Sequence, residues 1–219
     1  MHTLDRLLLE NKAWIQEKLD DNPDFLRHLA ENRTPDIFWV GCSDSRMHAD
    51  EITNCEPGEI LVHRNIGNQV VSTDFNLLGA LEYAVDVLQV KYVIVCGHYR
   101  CRSVKAALDR PNPDLPFADK WLRNIKDVYR LHRAEIEAVD SLDERWQKLV
   151  ELNIKEQVNN LAHTSIVQRA WRSAKRPELR GWVYGLHDGL IRELVAMNAY
   201  SAIDPIYEYN LEGSVAGKA

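Results

Sequence analysis

The sequence predicts an α/β fold in which a mainly parallel central β-sheet is flanked by helices and preceded by an N-terminal helical arm. Short apolar runs rich in β-branched residues alternate with longer stretches whose apolar residues recur three and four positions apart. The first 30 residues show the helical spacing alone. Because a helix between two strands returns the chain to the starting edge of the sheet, this order favours parallel pairing.

The first elements follow from local signals. Leu4–Ala30 is predicted to be helical, and Pro23 interrupts this arm at a point where a proline suits the first turn of a second helix. The apolar run Ile37–Gly41 is predicted to be the first strand. The second strand is Ile60–Asn65, which follows the turn Glu56-Pro57-Gly58.

The same alternation continues to about residue 190. Pro111, Pro113 and Pro116 mark a loop that ends one of the helices. Helices are predicted over Asn76–Val87, Cys101–Leu108, Lys120–Arg133 and Leu142–Ala174, and strands over Tyr92–Gly97 and Leu179–Gly185, the last of the sheet.

The chain is expected to form a single domain over residues 1–219. We divide it into the helical arm (1–34), an α/β core (35–190) and a C-terminal extension (191–219). Residues 212–219 are small and polar, so we expect them to fray.

Composition argues against several classes of protein. The chain has 219 residues, of which 45% are hydrophobic and 27% charged, as in an ordinary globular protein. Its net charge of -6, without a basic stripe, argues against a nucleic-acid partner. No apolar run has the length of a membrane span, and the charged N-terminal residues do not resemble a secretory signal. We therefore expect a cytoplasmic protein with reduced thiols.

Potential metal ligands follow the ends of two predicted strands. Cys42 and Asp44 come after the first strand, and His98 and Cys101 after the third. Carboxyl ends of parallel strands meet at one edge of a sheet, and zinc binds thiolate, imidazole and carboxylate groups. Taken singly, the cysteines could be small buried apolar residues and the histidine a hydrogen-bonded loop residue. Their joint placement favours a zinc site.

Asp44 and Arg46 lie two residues apart and allow two interpretations. They can form a surface ion pair that contributes little stability. Beside a metal, the Asp44 carboxylate can instead alternate between the ion and the Arg46 guanidinium, which closes or opens the fourth coordination position. The remaining cysteines, Cys55 and Cys96, are expected to be structural.

These motifs resemble a known family. Cys-x-Asp-x-Arg (Cys42, Asp44, Arg46) and His-x-x-Cys (His98, Cys101) are similar to the zinc motifs of the β-class carbonic anhydrases of bacteria and plants. Similar segments follow in the same order and extend the resemblance from about Trp14 to Leu190: Glu56-Pro57-Gly58-Glu59, His63-Arg64-Asn65, Glu82-Tyr83-Ala84-Val85 and His187-Asp188-Gly189.

The resemblance implies a Zn²⁺ held by Cys42, His98 and Cys101, with Asp44 on the metal in a closed form only. It implies reversible hydration of carbon dioxide to bicarbonate and a proton by attack of zinc-bound hydroxide. Asp44, released by Arg46, would orient that hydroxide. The family also implies a homodimer or a tetramer built as a dimer of dimers.

Two further groups of residues match family positions. Leu61, Ile66 and Tyr83 match an apolar substrate pocket, although core packing explains Leu61 and Ile66 equally well. In a bicarbonate-regulated bacterial subset, the residues at Trp39, Arg64 and Tyr184 surround a non-catalytic bicarbonate. The alternative is that Trp39 belongs to the strand core and Arg64 to a structural ion pair.

The chain departs from the family around its last ligand. Where the family has Gly-Cys-Gly-Gly, this sequence has Arg100-Cys101-Arg102-Ser103. We expect Arg100 to point outward, whereas Arg102 can intrude on the pocket. His48 can shuttle protons or face solvent. Three alternatives stay open: a working carbonic anhydrase, a hydrolase of carbonyl sulfide or carbon disulfide, and a weakly active or inactive zinc- or bicarbonate-binding relative.

Overall fold

The computed structural model describes residues 3–31 and 34–211, and the chain divides into two compact units, residues 1–34 and 35–219. The first unit contains helices α1 (Thr3–Asp21) and α2 (Phe25–Ala30). The second helix begins two residues after Pro23, so the proline precedes it and does not lie in its first turn. The tail that we expected to fray, residues 212–219, lies outside the described residues.

The second unit is built on a five-stranded sheet. Its spatial order is β2-β1-β3-β4-β5; the first four strands are parallel, and β5 runs antiparallel to β4. The predicted α/β fold with a mainly parallel sheet is therefore confirmed. The strands are β1 (Ile37–Cys42), β2 (Ile60–Asn65), β3 (Tyr92–His98), β4 (Glu178–Tyr184) and β5 (Ile191–Met197).

Strand β5 lies in residues that we had assigned to a C-terminal extension. The predicted strand Leu179–Gly185 is present as β4, but it is not the last strand of the sheet, because β5 pairs with β4 from Leu179 to Tyr184. The register shifts between Gly181 and Trp182, so that Leu194 falls between paired positions. This bulge breaks the alternation of apolar and polar residues that would have indicated a strand.

The helices of the second unit pack around this sheet. They are α3 (Ala49–Thr53), α4 (Phe75–Glu82), α5 (Arg102–Leu108), α6 (Pro116–Leu131), α7 (Arg133–Glu137), α8 (Leu142–Ala162) and α9 (Ser165–Ala174), with a π-helical turn at Tyr83–Val87 and a 3₁₀ turn at Pro205–Tyr207.

Several helix boundaries differ from the prediction; the predicted helix Lys120–Arg133, for example, ends at Leu131, and Arg133 begins α7. Pro116 opens α6 instead of marking a loop, since a proline at the first helical position loses no hydrogen bond. The predicted helix Leu142–Ala174 is two helices, because the Thr164 hydroxyl accepts from the amide of Val167 and caps α9. The predicted helix ending at Val87 changes from α to π geometry after Glu82.

Helix α8 supplies much of the core that supports the sheet. Its side chains Leu149, Ile154, Val158 and Leu161 are fully buried. Ile154 packs so closely on β3 that a Cβ at Gly97 would lie 2.7 Å from its Cδ1 atom. Glycine at this position lets the helix approach the strand directly before His98. The fold thus fixes the carboxyl end of β3, where the predicted ligands begin.

Among residues 3–31 and 34–211, each helix is too short or too polar to cross a bilayer.

Candidate metal centre

The three predicted ligands converge at the carboxyl edge of the sheet. Cys42 ends β1, His98 ends β3, and Cys101 precedes the first residue of α5. Strand β1 lies between β2 and β3, so the strand order reverses direction at β1. Open α/β sheets form their binding sites at such a reversal, outside the carboxyl ends of the strands. The ligand atoms of the three residues lie within 4.8 Å of one another, and all three side chains are buried.

The chemistry of this group fits a metal ion. The Nδ1 atom of His98 lies 3.1 Å from the carbonyl oxygen of Tyr99, so Nδ1 donates and Nε2 carries the free lone pair. That Nε2 atom is buried and has no hydrogen-bond partner among the described residues. The Sγ atoms of Cys42 and Cys101 are 3.6 Å apart and unbonded. A soft divalent cation would satisfy both sulfurs and the imidazole nitrogen.

Hydrogen bonds prepare Cys42 as a thiolate. Its pKa is lowered chiefly by the Cys101 thiol, and the backbone amides of Gly67 and Asp44, each 3.3 Å from Sγ, act in the same direction. The same contact with Cys42 raises the pKa of Cys101. A metal ion that binds both sulfurs would displace their protons.

The hydroxyl of Ser103 adds a contact that sequence reasoning missed. Its Oγ atom lies 2.9 Å from Cys101 Sγ and 3.8 Å from Cys42 Sγ. The serine stands at one of the positions where family resemblance leads one to expect glycine, so the departure supplies a polar partner for the ligand sulfurs.

Helix α8 holds the loop at Gly67, whose backbone amide donates to Cys42 Sγ. Asn153 donates from Nδ2 to the carbonyl oxygen of Gly67 over 3.0 Å, and Gln157 donates to Asn153 Oδ1. Gly67 has a φ of +81°, and a Cβ there would lie 2.8 Å from Ile125 Cδ1. The sequence signal that could have indicated this role is the presence of two amide residues, Asn153 and Gln157, on a helix face that is otherwise apolar. Both side chains are buried in the structure.

Asp44 has a different partner from the one expected. Its Oδ2 atom accepts from the backbone amide of Arg102 over 3.0 Å, and its Oδ1 atom lies 3.5 Å from the Arg102 guanidinium. Arg46 is exposed and forms no ion pair with Asp44. The expected pairing of Asp44 with Arg46 is therefore replaced, because the turn at Tyr99 and Arg100 and the start of α5 bring Arg102 to the carboxylate.

A small cavity of about 20 Å³ is lined in part by Cys42, Trp39, Arg64 and Tyr184. The guanidinium of Arg64 donates to the carbonyl oxygen of Cys42 from Nε (3.2 Å) and Nη2 (2.8 Å), and to that of Ser45 (2.6 Å). Arg64 thus fixes the backbone on both sides of Asp44, and the structure brings together the three residues matched to a regulatory anion site.

Comparison with known proteins identifies the family. Residues 37–191 match the family model described as carbonic anhydrase. The chain is 42% identical to a carbonic anhydrase of Emericella nidulans over 192 residues, which are 88% of this chain and 83% of that protein. It is 34% identical to a Pseudomonas aeruginosa carbonic anhydrase, with 77% of each chain covered.

Solved structures agree. A Coccomyxa β-carbonic anhydrase in complex with acetazolamide superposes with a TM-score of 0.83 at 33% identity, over 90% of this chain and 89% of that chain. The chain belongs to the β-class carbonic anhydrase family. A tetrameric β-carbonic anhydrase of Sordaria macrospora gives the same TM-score and identity over 90% of this chain and 100% of that chain. Since the relatives of this carbonic anhydrase include fungal proteins, they establish its class and not a bacterial subset.

Arg100 stands where the resemblance leads one to expect glycine, and its backbone conformation is one that glycine adopts more easily. Its φ of +58° lies in the left-handed region, where an arginine is strained and a glycine is not. Its side chain is exposed, as expected, pairs with Asp143 at 3.4 Å and lies over the Trp146 ring. Its amide donates to Gln147 Oε1. Contacts with α8 thus hold this turn of the carbonic anhydrase.

The predicted pocket residues lie in different surroundings. Leu61 is partly buried against the core, whereas Ile66 and Tyr83 are exposed. His48 is exposed at the start of α3, where its amide donates to Glu51. Of the other cysteines, Cys96 is buried, and burial raises its pKa, whereas Cys55 is partly buried.

Proposed function

We propose that this protein catalyses the reversible hydration of carbon dioxide to bicarbonate and a proton. The main support for this proposal is the convergence of Cys42, His98 and Cys101, together with the buried Nε2 atom of His98, which has no hydrogen-bond partner in residues 3–31 and 34–211. It is supported by membership of the β-class carbonic anhydrase family.

We further propose Zn²⁺ as the metal, because two thiolates and an imidazole form a ligand set that suits zinc. When bound, zinc acts as a Lewis acid and makes water a nucleophile near neutral pH. Three protein ligands leave one position of a tetrahedral site for a small ligand.

Side chains of the protein orient the attacking water. Asp44 is the catalytic carboxylate in this proposal: it accepts a hydrogen bond from the attacking water and so directs a lone pair toward carbon dioxide. Its own orientation comes from Arg102, through two contacts. The released proton has to reach solvent, and exposed His48 is a candidate shuttle.

Stopped-flow measurement of carbon dioxide hydration on the zinc-loaded protein tests the proposal. We expect a rate well above the uncatalysed reaction, and loss of most of it in Cys42→Ser. Cys55→Ser is the matched control, since Cys55 lies outside the ligand group. Hydrolysis of carbonyl sulfide or carbon disulfide that is faster than carbon dioxide hydration would contradict the assignment.

The remaining site residues are proposals of the same kind. We propose that Leu61, Ile66 and Tyr83 line the path of carbon dioxide in the assembled enzyme. We also propose that Trp39, Arg64 and Tyr184 can bind a regulatory bicarbonate. The small cavity that these three residues line and the Arg64 guanidinium support the second proposal. Inhibition by bicarbonate that Arg64→Ala abolishes would test it.

We propose a homodimer or a dimer of dimers in the cytoplasm. The description of the Sordaria macrospora relative as tetrameric supports assembly. Four free cysteines suit a reducing compartment. Analytical ultracentrifugation determines the assembly state.

A further inference from the structure

We infer that Ser103 is a positioning residue whose hydroxyl donates a hydrogen bond to the Cys101 sulfur and thereby weakens the electron donation of that sulfur to the bound metal. This inference rests on the proposed metal centre and deepens it. It assigns a role to a side chain that stands where the resemblance leads one to expect glycine. Three observations support it.

The first observation is the direction of the Ser103 side chain. Its Oγ atom lies 2.9 Å from Cys101 Sγ and 3.8 Å from Cys42 Sγ. In the part of the chain that the structure describes, these two sulfurs are the hydrogen-bond partners of the hydroxyl. A serine inside a helix can instead bond to a backbone carbonyl of the preceding turn. Ser103 directs its hydroxyl at the ligand sulfurs.

The second observation is that the backbone beside Ser103 is anchored. The carbonyl oxygen of Cys101 accepts from the indole of Trp146 over 2.9 Å and from the amide of Lys105 over 3.1 Å. These two bonds fix the first turn of α5 and attach it to α8. They therefore fix the position from which Ser103 reaches the sulfur.

The third observation is that the two ligand sulfurs have different donors. The Cys42 sulfur accepts from the backbone amides of Gly67 and Asp44, each at 3.3 Å. At the Cys101 sulfur, the contact at 2.9 Å comes from a side chain. A glycine at residue 103 would have no hydroxyl, so this contact is a property of the sequence and not of the backbone.

Metal binding determines the direction of the hydrogen bond. A thiol and a hydroxyl can each donate, but a metal ion binds the thiolate, which has no proton. The metal-bound Cys101 sulfur can therefore only accept, and the Ser103 hydroxyl is the donor.

The consequence concerns the charge of the metal. A hydrogen bond to a ligand sulfur draws electron density away from the metal, and such contacts outside the ligand set tune a metal site. Two thiolates donate much negative charge. By reducing the donation from Cys101, Ser103 leaves the metal with more positive charge and makes it a stronger Lewis acid.

Absorption of the cobalt-substituted protein tests this inference, because the sulfur-to-cobalt charge-transfer band reports how readily the sulfurs donate. In Ser103→Ala we expect the band to shift to longer wavelength and the cobalt affinity to fall by about tenfold. Ser173→Ala is the matched control, since the Ser173 hydroxyl donates to the carbonyl oxygen of Arg169 on α9. It should leave both quantities unchanged.

The variants Ser103→Thr and Ser103→Val separate the hydrogen bond from the space that the side chain fills. Both side chains have the same shape, and threonine alone keeps the hydroxyl. We expect the band of Ser103→Thr at the wild-type wavelength and that of Ser103→Val at longer wavelength. This pair also gives the answer should Ser103→Ala fail to fold. Equal band positions in the two variants would overturn the inference, as would a wild-type band in Ser103→Ala.

Failure of the proposed function gives a different result. Zinc protein that does not hydrate carbon dioxide would contradict the proposed function and leave these comparisons of cobalt spectra intact. Conversely, equal bands in Ser103→Thr and Ser103→Val, combined with normal hydration in the wild type, would overturn the role of Ser103 alone.

Discussion

The indole Nε1 atom of Trp146 donates a 2.9 Å hydrogen bond to the carbonyl oxygen of Cys101. This contact joins the longest helix of the second unit to the backbone of a predicted ligand. Because Trp146 is nearly fully buried, the bond is protected from water. Trp146, which is not itself a predicted metal ligand, thus connects the metal centre to the hydrophobic core.

Trp146→Phe keeps most of the ring but removes this donor. We expect zinc affinity to fall by about tenfold, since partners that orient ligands have effects of that size. The free energy of unfolding should fall by about 1 to 2 kcal/mol. Competition with a chromophoric chelator measures the affinity.

Trp171→Phe is the matched control, because Trp171 Nε1 donates to the carbonyl oxygen of Pro177 far from the ligands in sequence. It should reduce stability by a similar amount and leave zinc affinity unchanged. Equal loss of zinc affinity in both variants would show that Trp146 acts through general stability alone.

Gly67→Ala tests the loop whose amide faces Cys42. A φ of +81° and a Cβ at 2.8 Å from Ile125 Cδ1 make alanine strained here. We expect the free energy of unfolding to fall by about 1 to 3 kcal/mol and zinc binding to weaken. Gly79→Ala, where an added Cβ meets nothing within 4 Å on α4, should stabilise by about 0.5 to 1 kcal/mol. Urea unfolding compares the two.

Asn153→Ala removes the amide that binds the carbonyl oxygen of Gly67. It also leaves Gln157 Nε2 without its acceptor, so we expect a loss of about 2 to 3 kcal/mol in unfolding free energy. Zinc affinity should fall as well. Gln168→Ala is the control: Gln168 is buried and donates to Ala162 and Tyr207, away from Gly67. An unchanged zinc affinity in Asn153→Ala would contradict a role of α8 in holding the loop.

We expect His163 to make the free energy of unfolding depend on pH. Burial lowers its pKa below 6.5, and its ring stacks on Tyr207 with centroids 3.9 Å apart. Since the unfolded chain binds the proton more readily, His163 reduces stability as pH falls below about 6.5. His163→Phe, which keeps the stacking, should therefore lose less stability than wild type between about pH 8 and pH 5. Parallel pH profiles of the two proteins would exclude this contribution.

The sequence predicted the elements that depend on local pattern. Strand β2 has the predicted bounds, and Cys42, His98 and Cys101 could be placed together because apolar runs end beside them. Strand β5 was missed since its bulge at Leu194 disrupts the alternation.

The partner of Asp44 was missed for a different reason. The choice between Arg46 and Arg102 depends on the turn at Arg100, whose left-handed φ results from contacts with α8 that are remote in sequence. Such contacts leave no local pattern. The same applies to Asn153, whose role depends on the carbonyl group that it meets across the core.

The most direct test of the central claim is X-ray absorption at the zinc edge, combined with metal analysis of the purified protein. We predict one zinc per chain, with two sulfur ligands at about 2.3 Å and a nitrogen ligand at about 2.0 Å. The remaining scatterer should be a light atom. A protein that binds no zinc, or whose zinc has no sulfur ligands while Cys42 and Cys101 form a disulfide, would contradict the account.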